Sequence, residues 1–327
     1  MKAYITGATG CIGRNLVDKL EESEIITDII VLHRKSSNLK KLEGCNVRFL
    51  EVDLKDYESL KEKIQEQADV IFHLAANVSH NPNQHRDQEK DNILVTENLV
   101  RLCIENKVAK RFIYCSTGAT AICDNMSIDQ IEKVTSGYIR TKKKSELVVQ
   151  KGLKNKSFDA VILRPIITVG KYDYNNYSNI FELINNNKMM FSFPGELNFC
   201  HAEDVAEAHI AAFLNGKRGT IYYLTGEYTS WHDFCCRVAY KLGRRRPFKP
   251  LPRFFYYVIS YIQLLKQKIF GIKALITPEL IDLISQETHD VSEVEKIISR
   301  NDLIKNSKTL DKAIDDCYNW MKQERRI

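Results

Sequence analysis

Short apolar runs alternate with amphipathic stretches through the first half of the chain. Lys2-Ala3-Tyr4-Ile5-Thr6 is the first run. Ile29–Leu32, Val47–Val52, Val70–Leu74, Arg111–Ser116 and Ala160–Arg164 follow it. Between them, apolar residues recur at helical spacing over 13–22, 56–67, 88–106 and 136–154. Brief β-branched runs separated by amphipathic helices predict a parallel sheet covered on both faces. The fold class is therefore α/β, a Rossmann-type doubly wound parallel sheet. Ligands on such sheets bind beyond the carboxyl ends of the strands.

After Pro165 the pattern changes. Residues 171–200 are rich in Asn, Tyr and Phe and read as an irregular lid with one helix, its aromatics Tyr172, Tyr174, Tyr177, Phe191 and Phe193 shaping a pocket. A late strand falls at 220–224, and helices are expected over 231–242, 253–270, roughly 277–286 and 309–323. The expected division is a dinucleotide-binding domain over 1–165 and a smaller, mainly helical substrate-binding part over 166–327, with a small-molecule substrate between them. A length of 327 residues suits this arrangement.

Composition narrows the picture modestly. The formal net charge is +6, which reads as a lysine-rich solvated surface; no aromatic-interleaved basic repeat points to nucleic acid. Nine cysteines show no C-x-x-C pair, so neither a disulfide framework nor a metal site is expected, and reduced thiols suit a cytoplasmic protein. Cys11 is the thiol expected to be open to alkylation. The first strand begins at Lys2, which leaves no room for a signal sequence ahead of it. No apolar run reaches the length of a membrane span. Arg253–Lys266 is aromatic, apolar and flanked by Arg253, Lys266, Lys268 and Lys273. A core or lid helix is the preferred account there, with a helix lying on a membrane surface as the sharper alternative.

Chemistry concentrates at predicted strand ends. Gly7, Gly10 and Gly13 follow a G-x-x-G-x-x-G spacing at the first strand-to-helix turn. Gly7 allows the sharp turn, Gly10 a close approach of backbone to phosphate, and Gly13 tight helix–sheet packing. The helix N-terminus then offers its N–H groups to a pyrophosphate. Tyr138 and Lys142 lie four apart, on one face of a helix. A cation near a phenol favours the phenolate, so this pair suits acid–base work. The same spacing occurs at Tyr57/Lys61 and Tyr318/Lys322, which read as surface or packing residues. Only Tyr138/Lys142 lies on the helix that follows the fifth strand. Strand alternation favours Thr117 over Ser116 as the hydroxyl that orients a substrate oxygen, with a strand-end cap as the plainer account. His80 and His85 lie on a polar loop and are assigned no role.

Taken together, these segments resemble the extended short-chain dehydrogenases/reductases over nearly the whole chain. Thr6-Gly7-Ala8-Thr9-Gly10-Cys11-Ile12-Gly13 resembles the family's cofactor turn, Asp53-Leu54 its adenine contact, and His73-Leu74-Ala75-Ala76 its fourth-strand motif. The resemblance implies that Asn92 braces the active site and is counted with the cofactor-binding residues. It makes Thr117, Tyr138 and Lys142 the catalytic trio, with the backbone at Arg164-Pro165 facing the nicotinamide carboxamide. His201-Ala202-Glu203-Asp204-Val205-Ala206 is similar to a helix start of the family. Homodimerisation through helices is common in the family and is kept open for this chain.

Arg164-Pro165-Ile166-Ile167-Thr168-Val169-Gly170 carries Ile167 where many sugar-nucleotide epimerases and dehydratases carry asparagine. That segment is closer to the dihydroflavonol-reductase-like and hydroxysteroid-dehydrogenase-like branch, so a carbonyl reductase or alcohol dehydrogenase is expected. An epimerase or dehydratase holding NAD tightly is the runner-up, and a non-catalytic nucleotide sensor a third reading. After the second strand stand His33-Arg34-Lys35-Ser36, with no carboxylate. A guanidinium there can grip a 2′-phosphate, so NADP(H) is expected as the preferred cofactor, with NAD(H) also allowed.

Overall fold

The computed structural model describes residues 1–79, 81, 84–271, 274, 276–285, 303 and 307–327. His80 and Lys273 lie outside the described residues, as does the end of the helix expected to reach 286. Strands β1 (Lys2–Thr6), β2 (Asp28–His33), β3 (Arg48–Glu51), β4 (Ala68–His73), β5 (Ala109–Cys115) and β6 (Ala160–Pro165) form one parallel sheet. The helices of this half are α1 (Cys11–Ser23), α2 (Tyr57–Lys63), α3 (His85–Gln88), α4 (Val95–Asn106), α5 (Ile128–Glu132) and α6 (Gly137–Gly152). The sheet separates two apolar layers. One gathers Ile5, Leu16, Val31 and Phe72; the other gathers Tyr4, Ile30, Leu99 and Phe112. Both faces of the strands are thus covered, as their unbroken apolar character requires.

In the second half, β7 (Ile167–Val169), α7 (Ser178–Asn185), β8 (Glu196–His201), α8 (Ala202–Asn215), β9 (Ile221–Leu224) and β10 (Glu227–Ser230) follow in order. Helices α9 (Trp231–Lys241), α10 (Arg253–Phe270), α11 (Pro278–Ser285) and α12 (Leu310–Gln323) complete it. The main sheet has seven strands in the order β3-β2-β1-β4-β5-β6-β9, and β10-β8-β7 form a second, three-stranded sheet. The second half packs on the first: β9 pairs with β6 in parallel register, Leu163 opposite Tyr222, and α8 supplies Val205, Ala206 and Ala208 to the first apolar layer. Trp231, Phe234, Phe199 and Trp320 build a separate core under the second sheet.

Two expected elements differ in detail. The helix expected over 88–106 is broken by a π-helical segment, Glu89–Leu94, a device that recurs at functional sites. The stretch 171–200, expected as an irregular lid with one helix, contains that helix as α7 but also most of β8. Its aromatics are largely core-building: Tyr174 meets the Trp320 ring at 4.9 Å, and Phe193 meets Trp231 at 5.9 Å.

Candidate active site

The glycine turn leaves β1 with Gly7 at φ +76°, and a Cβ there would lie 2.6 Å from the Ala75 nitrogen. Only glycine fits that backbone. Gly10 caps α1 in extended conformation without any side-chain hydrogen bond, and the first turn carries no acidic residue. Its own position is open: a Cβ would meet only the Gly7 oxygen, at 3.3 Å. The helix N–H groups thus stand free of side chains and of negative charge, which fits a dinucleotide pyrophosphate. Thr9 and Ile12 flank the turn half-buried, Ile12 packing on the first apolar layer. Ala75 N donates to Thr6 Oγ1 at 3.1 Å, which brings the half-buried Ala75-Ala76 segment beside the turn.

Cys11 is half-buried beside the turn, in surroundings that oppose the reactivity expected from sequence. Burial raises its thiol well above the usual range, and Sγ donates to the Lys171 carbonyl at 3.5 Å. The thiolate that alkylation needs is disfavoured.

Arg34 stands exposed past the end of β2, and no carboxylate of the described residues pairs with its guanidinium. Asp53 follows β3, also exposed, with Oδ1 accepting from Lys55 N at 3.0 Å. Leu54 packs on the second apolar layer, and its carbonyl accepts from Asn98 Nδ2 at 3.0 Å. Pro165 closes β6 and is buried. These residues all lie at carboxyl ends of the parallel strands, along one rim of the sheet.

Across from the glycine turn, Thr117 follows β5 and Tyr138 opens α6. A side-chain hydrogen bond joins their hydroxyls. Thr117 Oγ1 also accepts from Ala119 N at 3.4 Å, so the capping account and the site account describe the same atom. Ser116 points the other way, its Oγ donating to Glu146 at 2.5 Å. Burial raises the Tyr138 phenol well above its usual range, Cys115 adds to this, and the bond to Thr117 offsets part of it. The expected depression by Lys142 is not what this structure shows, because desolvation dominates. Lys142 instead donates to the Cys115 carbonyl at 2.6 Å and lies over the Tyr114 ring at 4.3 Å. Burial pushes its ammonium down to about 8, with Cys115 and Glu146 opposing. Tyr177, from the segment before α7, lies near enough to Tyr138 for the two phenols to interact electrostatically.

The other two Tyr/Lys pairs of this spacing differ in kind. Tyr57 gives its hydroxyl to Glu105 at 2.6 Å under the Arg101 guanidinium. Tyr318 lies beneath Lys322 and Lys241.

Asn92, in the π-helical segment, faces inward rather than into the cleft. Its Oδ1 accepts from Asn77 N at 2.7 Å, and its Nδ2 donates to Asn77 O at 3.1 Å and Thr141 Oγ1 at 3.0 Å. It therefore pins the loop after β4 to α6 one residue before Lys142. Its carbonyl accepts from Val95 N and also from the Thr96 and Ser145 hydroxyls, at 2.6 and 3.0 Å. His73 sits behind, fully buried between Thr6 and Thr96 hydroxyls, and burial with nearby Lys142 pushes its imidazole down to about 3.

A buried ionic network under the site was not foreseen. Arg164 is 1% exposed and Glu146 0%. Arg164 grips Glu146 through Nε and NH2 at 2.8 and 2.6 Å, and Asp124 through NH1 and NH2 at 2.7 and 2.6 Å. Lys143 donates to Asp124 at 2.5 Å, and the Tyr223 hydroxyl completes the cluster. The network ties β6, α6 and the turn after β5 into one unit and fixes the helix that carries Tyr138 and Lys142. The only signal in the sequence was an arginine inside the apolar run of β6. His201, from the H-x-x-D segment, caps α8 through Nδ1 and faces Asp316 through Nε2, both at 3.0 Å.

Residues 3–224 match the NAD dependent epimerase/dehydratase family. Among curated proteins, the chain is 25% identical to the 4-hydroxy-2-methyl-3-oxo-4-farnesyl-3,4-dihydroquinoline-1-oxide ketoreductase of Stigmatella aurantiaca, over 69% of this chain and 68% of that protein. It is 25% identical to the putative dihydroflavonol 4-reductase of a Synechocystis species, over 80% of this chain and 78% of that protein. The crystal structure of gox2253 superposes with a TM-score of 0.80 at 23% identity, over 100% of this chain and 99% of that one. UDP-glucuronic acid 4-epimerase from Bacillus cereus, in complex with NAD, superposes with a TM-score of 0.73 at 19% identity, over 99% of each chain.

Proposed function

The chain belongs to the NAD dependent epimerase/dehydratase family, and from that premise we propose an NADP(H)-dependent oxidoreductase that reduces a carbonyl or oxidises the matching secondary alcohol. The observation that carries this reading is the hydrogen bond between Tyr138 and Thr117 beside the carboxyl end of β5, with Lys142 one helical turn further on. The glycine turn from Gly7 to Gly13 would hold the pyrophosphate, Asp53 and Leu54 the adenine side, and Arg34 the 2′-phosphate. Ala75, Ala76 and Pro165 would flank the nicotinamide, and Lys142 would hold its ribose. When bound, the nicotinamide supplies a hydride to the carbonyl carbon or accepts one from the alcohol.

The chain's own residues handle the proton. Thr117 donates a hydrogen bond to the substrate oxygen, and Tyr138 gives that oxygen its proton during reduction. A phenol raised by burial stays protonated at neutral pH, which suits the acid of the reductive direction. The ketoreductase and dihydroflavonol-reductase relatives support this direction. Ile167, where an asparagine would favour the epimerase or dehydratase reading, is buried at 6% exposure among apolar neighbours and offers no polar group to a sugar.

Consumption of NADPH in the presence of a panel of ketones and aldehydes tests the proposal. Turnover of a carbonyl compound that Tyr138→Phe abolishes is expected. Turnover confined to sugar nucleotides, with no net change in nucleotide, would contradict it.

A further inference from the structure

Helix α10 is built inside out. Along Arg253–Phe270 only Tyr256 and Ser260 are buried. The face toward the protein is polar, and each group on it has a partner. Tyr256 donates to Ser192 O at 2.5 Å and accepts from Leu251 N at 3.0 Å. Tyr257 bonds Asp282 of α11. Gln263 and Gln267 accept from Ile276 N and Ala274 N at 3.0 and 2.9 Å. Phe254, Val258, Tyr261, Ile262, Leu265 and Ile269 recur at three- and four-residue spacing on the opposite face and are 40–69% exposed. A helix of a water-exposed surface has the reverse polarity. A core or lid helix, the account preferred from sequence, would turn this face inward.

Charge says what covers it. Between residues 243 and 270 there are seven basic residues, Arg244, Arg245, Arg246, Lys249, Arg253, Lys266 and Lys268, and no acidic one. Lys266 and Lys268 fall on the two flanks of the apolar stripe, where their ammonium groups can reach past it. No helix among the described residues is long and apolar enough to cross a membrane. An apolar stripe rich in Phe, Ile and Leu, edged by cations and too short in apolar length to span, matches a helix lying in the interface plane.

We infer that α10 docks the protein on an anionic lipid surface, its apolar stripe in the acyl boundary and its cations among the headgroups. A second copy of the chain would bury the same apolar face but would bring like charges together along its rim.

Cosedimentation of the full chain with vesicles tests this, using phosphatidylcholine alone and equal parts phosphatidylcholine and phosphatidylserine. The protein should pellet with the mixed vesicles and weakly with the neutral ones. Leu265→Glu with Ile269→Glu, both at exposed positions, should weaken the association tenfold or more, at roughly the scale expected for apolar burial, with an unchanged thermal transition. Lys266→Gln and Lys268→Gln should each cost roughly fivefold on the anionic vesicles. Protein left in the supernatant with both vesicle types overturns the inference, as does equal partition onto both. A concentration-dependent dimer that the Leu265→Glu/Ile269→Glu variant disperses, without vesicle binding, assigns the face to a second copy and overturns it too.

Discussion

Lys142 and Lys143 are adjacent on α6 and both are buried, at 2% and 4% exposure, yet the regions they enter are opposite in kind. Lys143 enters the ionic network, bonded to Asp124 at 2.5 Å and 3.5 Å from Glu146, with Arg164 facing the same two carboxylates. Lys142 enters the cleft side, where a backbone carbonyl and an aromatic ring are its contacts. One ammonium is matched by carboxylates; the other has neutral direct contacts, with Glu146 acting only without a direct bond, and is pushed down to about 8. A matched buried charge fixes architecture, because removing one partner strands the other. A buried cation with neutral partners is unspent, and a perturbed group in such a place marks a functional site. The lesson is that the partner, rather than burial itself, separates the structural lysine from the one proposed to hold the nicotinamide ribose.

The comparison breaks most sharply at the chemistry. Tyr138→Phe should lower kcat by roughly 10²–10⁴, while a calorimetric titration of nucleotide stays within about twofold of wild type. Unimpaired turnover would remove the cleft side of the comparison. Next in size is the structural side. Lys143→Met should cost about 3 kcal/mol in denaturant unfolding, near the low end for breaking a buried pair because Arg164 still faces both carboxylates. Lys142→Met should unfold close to wild type, since a desolvated cation gives way to an apolar chain of similar volume. The reverse order would show that the two environments had been misassigned.

Smaller effects sharpen the account. Arg34→Ala should weaken NADPH about ten- to a hundredfold, the scale of a hydrogen-bonded charge, and leave NADH nearly unchanged. Equal losses would sink the 2′-phosphate assignment. His73 and His209 are held neutral by burial, pushed down to about 3 and about 4. Because their folded pKa values lie below the unfolded one, the unfolded chain binds more protons between these values and about 6.5. Stability is complete above that point and falls on acidification, by up to about 1.4 kcal/mol per pH unit for each histidine. His73→Gln should flatten the decline of Tm between pH 7 and pH 5, about the range over which an ordinary histidine titrates.

Much of the fold was legible because its signals are local. The first six strands of the main sheet, the glycine turn and the extent of α10 follow from runs, spacings and turn residues. The features that sequence did not reveal are non-local or brief. β7 has three residues and follows Pro165 with one intervening position, too short for alternation to register. The π-helical segment at Glu89–Leu94 leaves apolar spacing nearly unchanged, while the Asn92 carbonyl within it takes two side-chain hydroxyls besides Val95 N. Asp124, Glu146 and Arg164 come from a turn, a helix and a strand, and nothing in their spacing shows that they meet. The residues assigned to the candidate site do converge on one rim, but the phenol's environment could not be read from a Tyr/Lys interval. Burial decides its direction, and burial is a property of the assembled cleft.

The most direct test of the central claim is to denature freshly purified protein, identify the released nucleotide by mass spectrometry, and titrate the emptied protein with NADPH and NADH. An exchanging reductase predicts no retained nucleotide and tighter binding of NADPH. Stoichiometric NAD in the released fraction would contradict it and indicate an internal redox cycle on a sugar nucleotide.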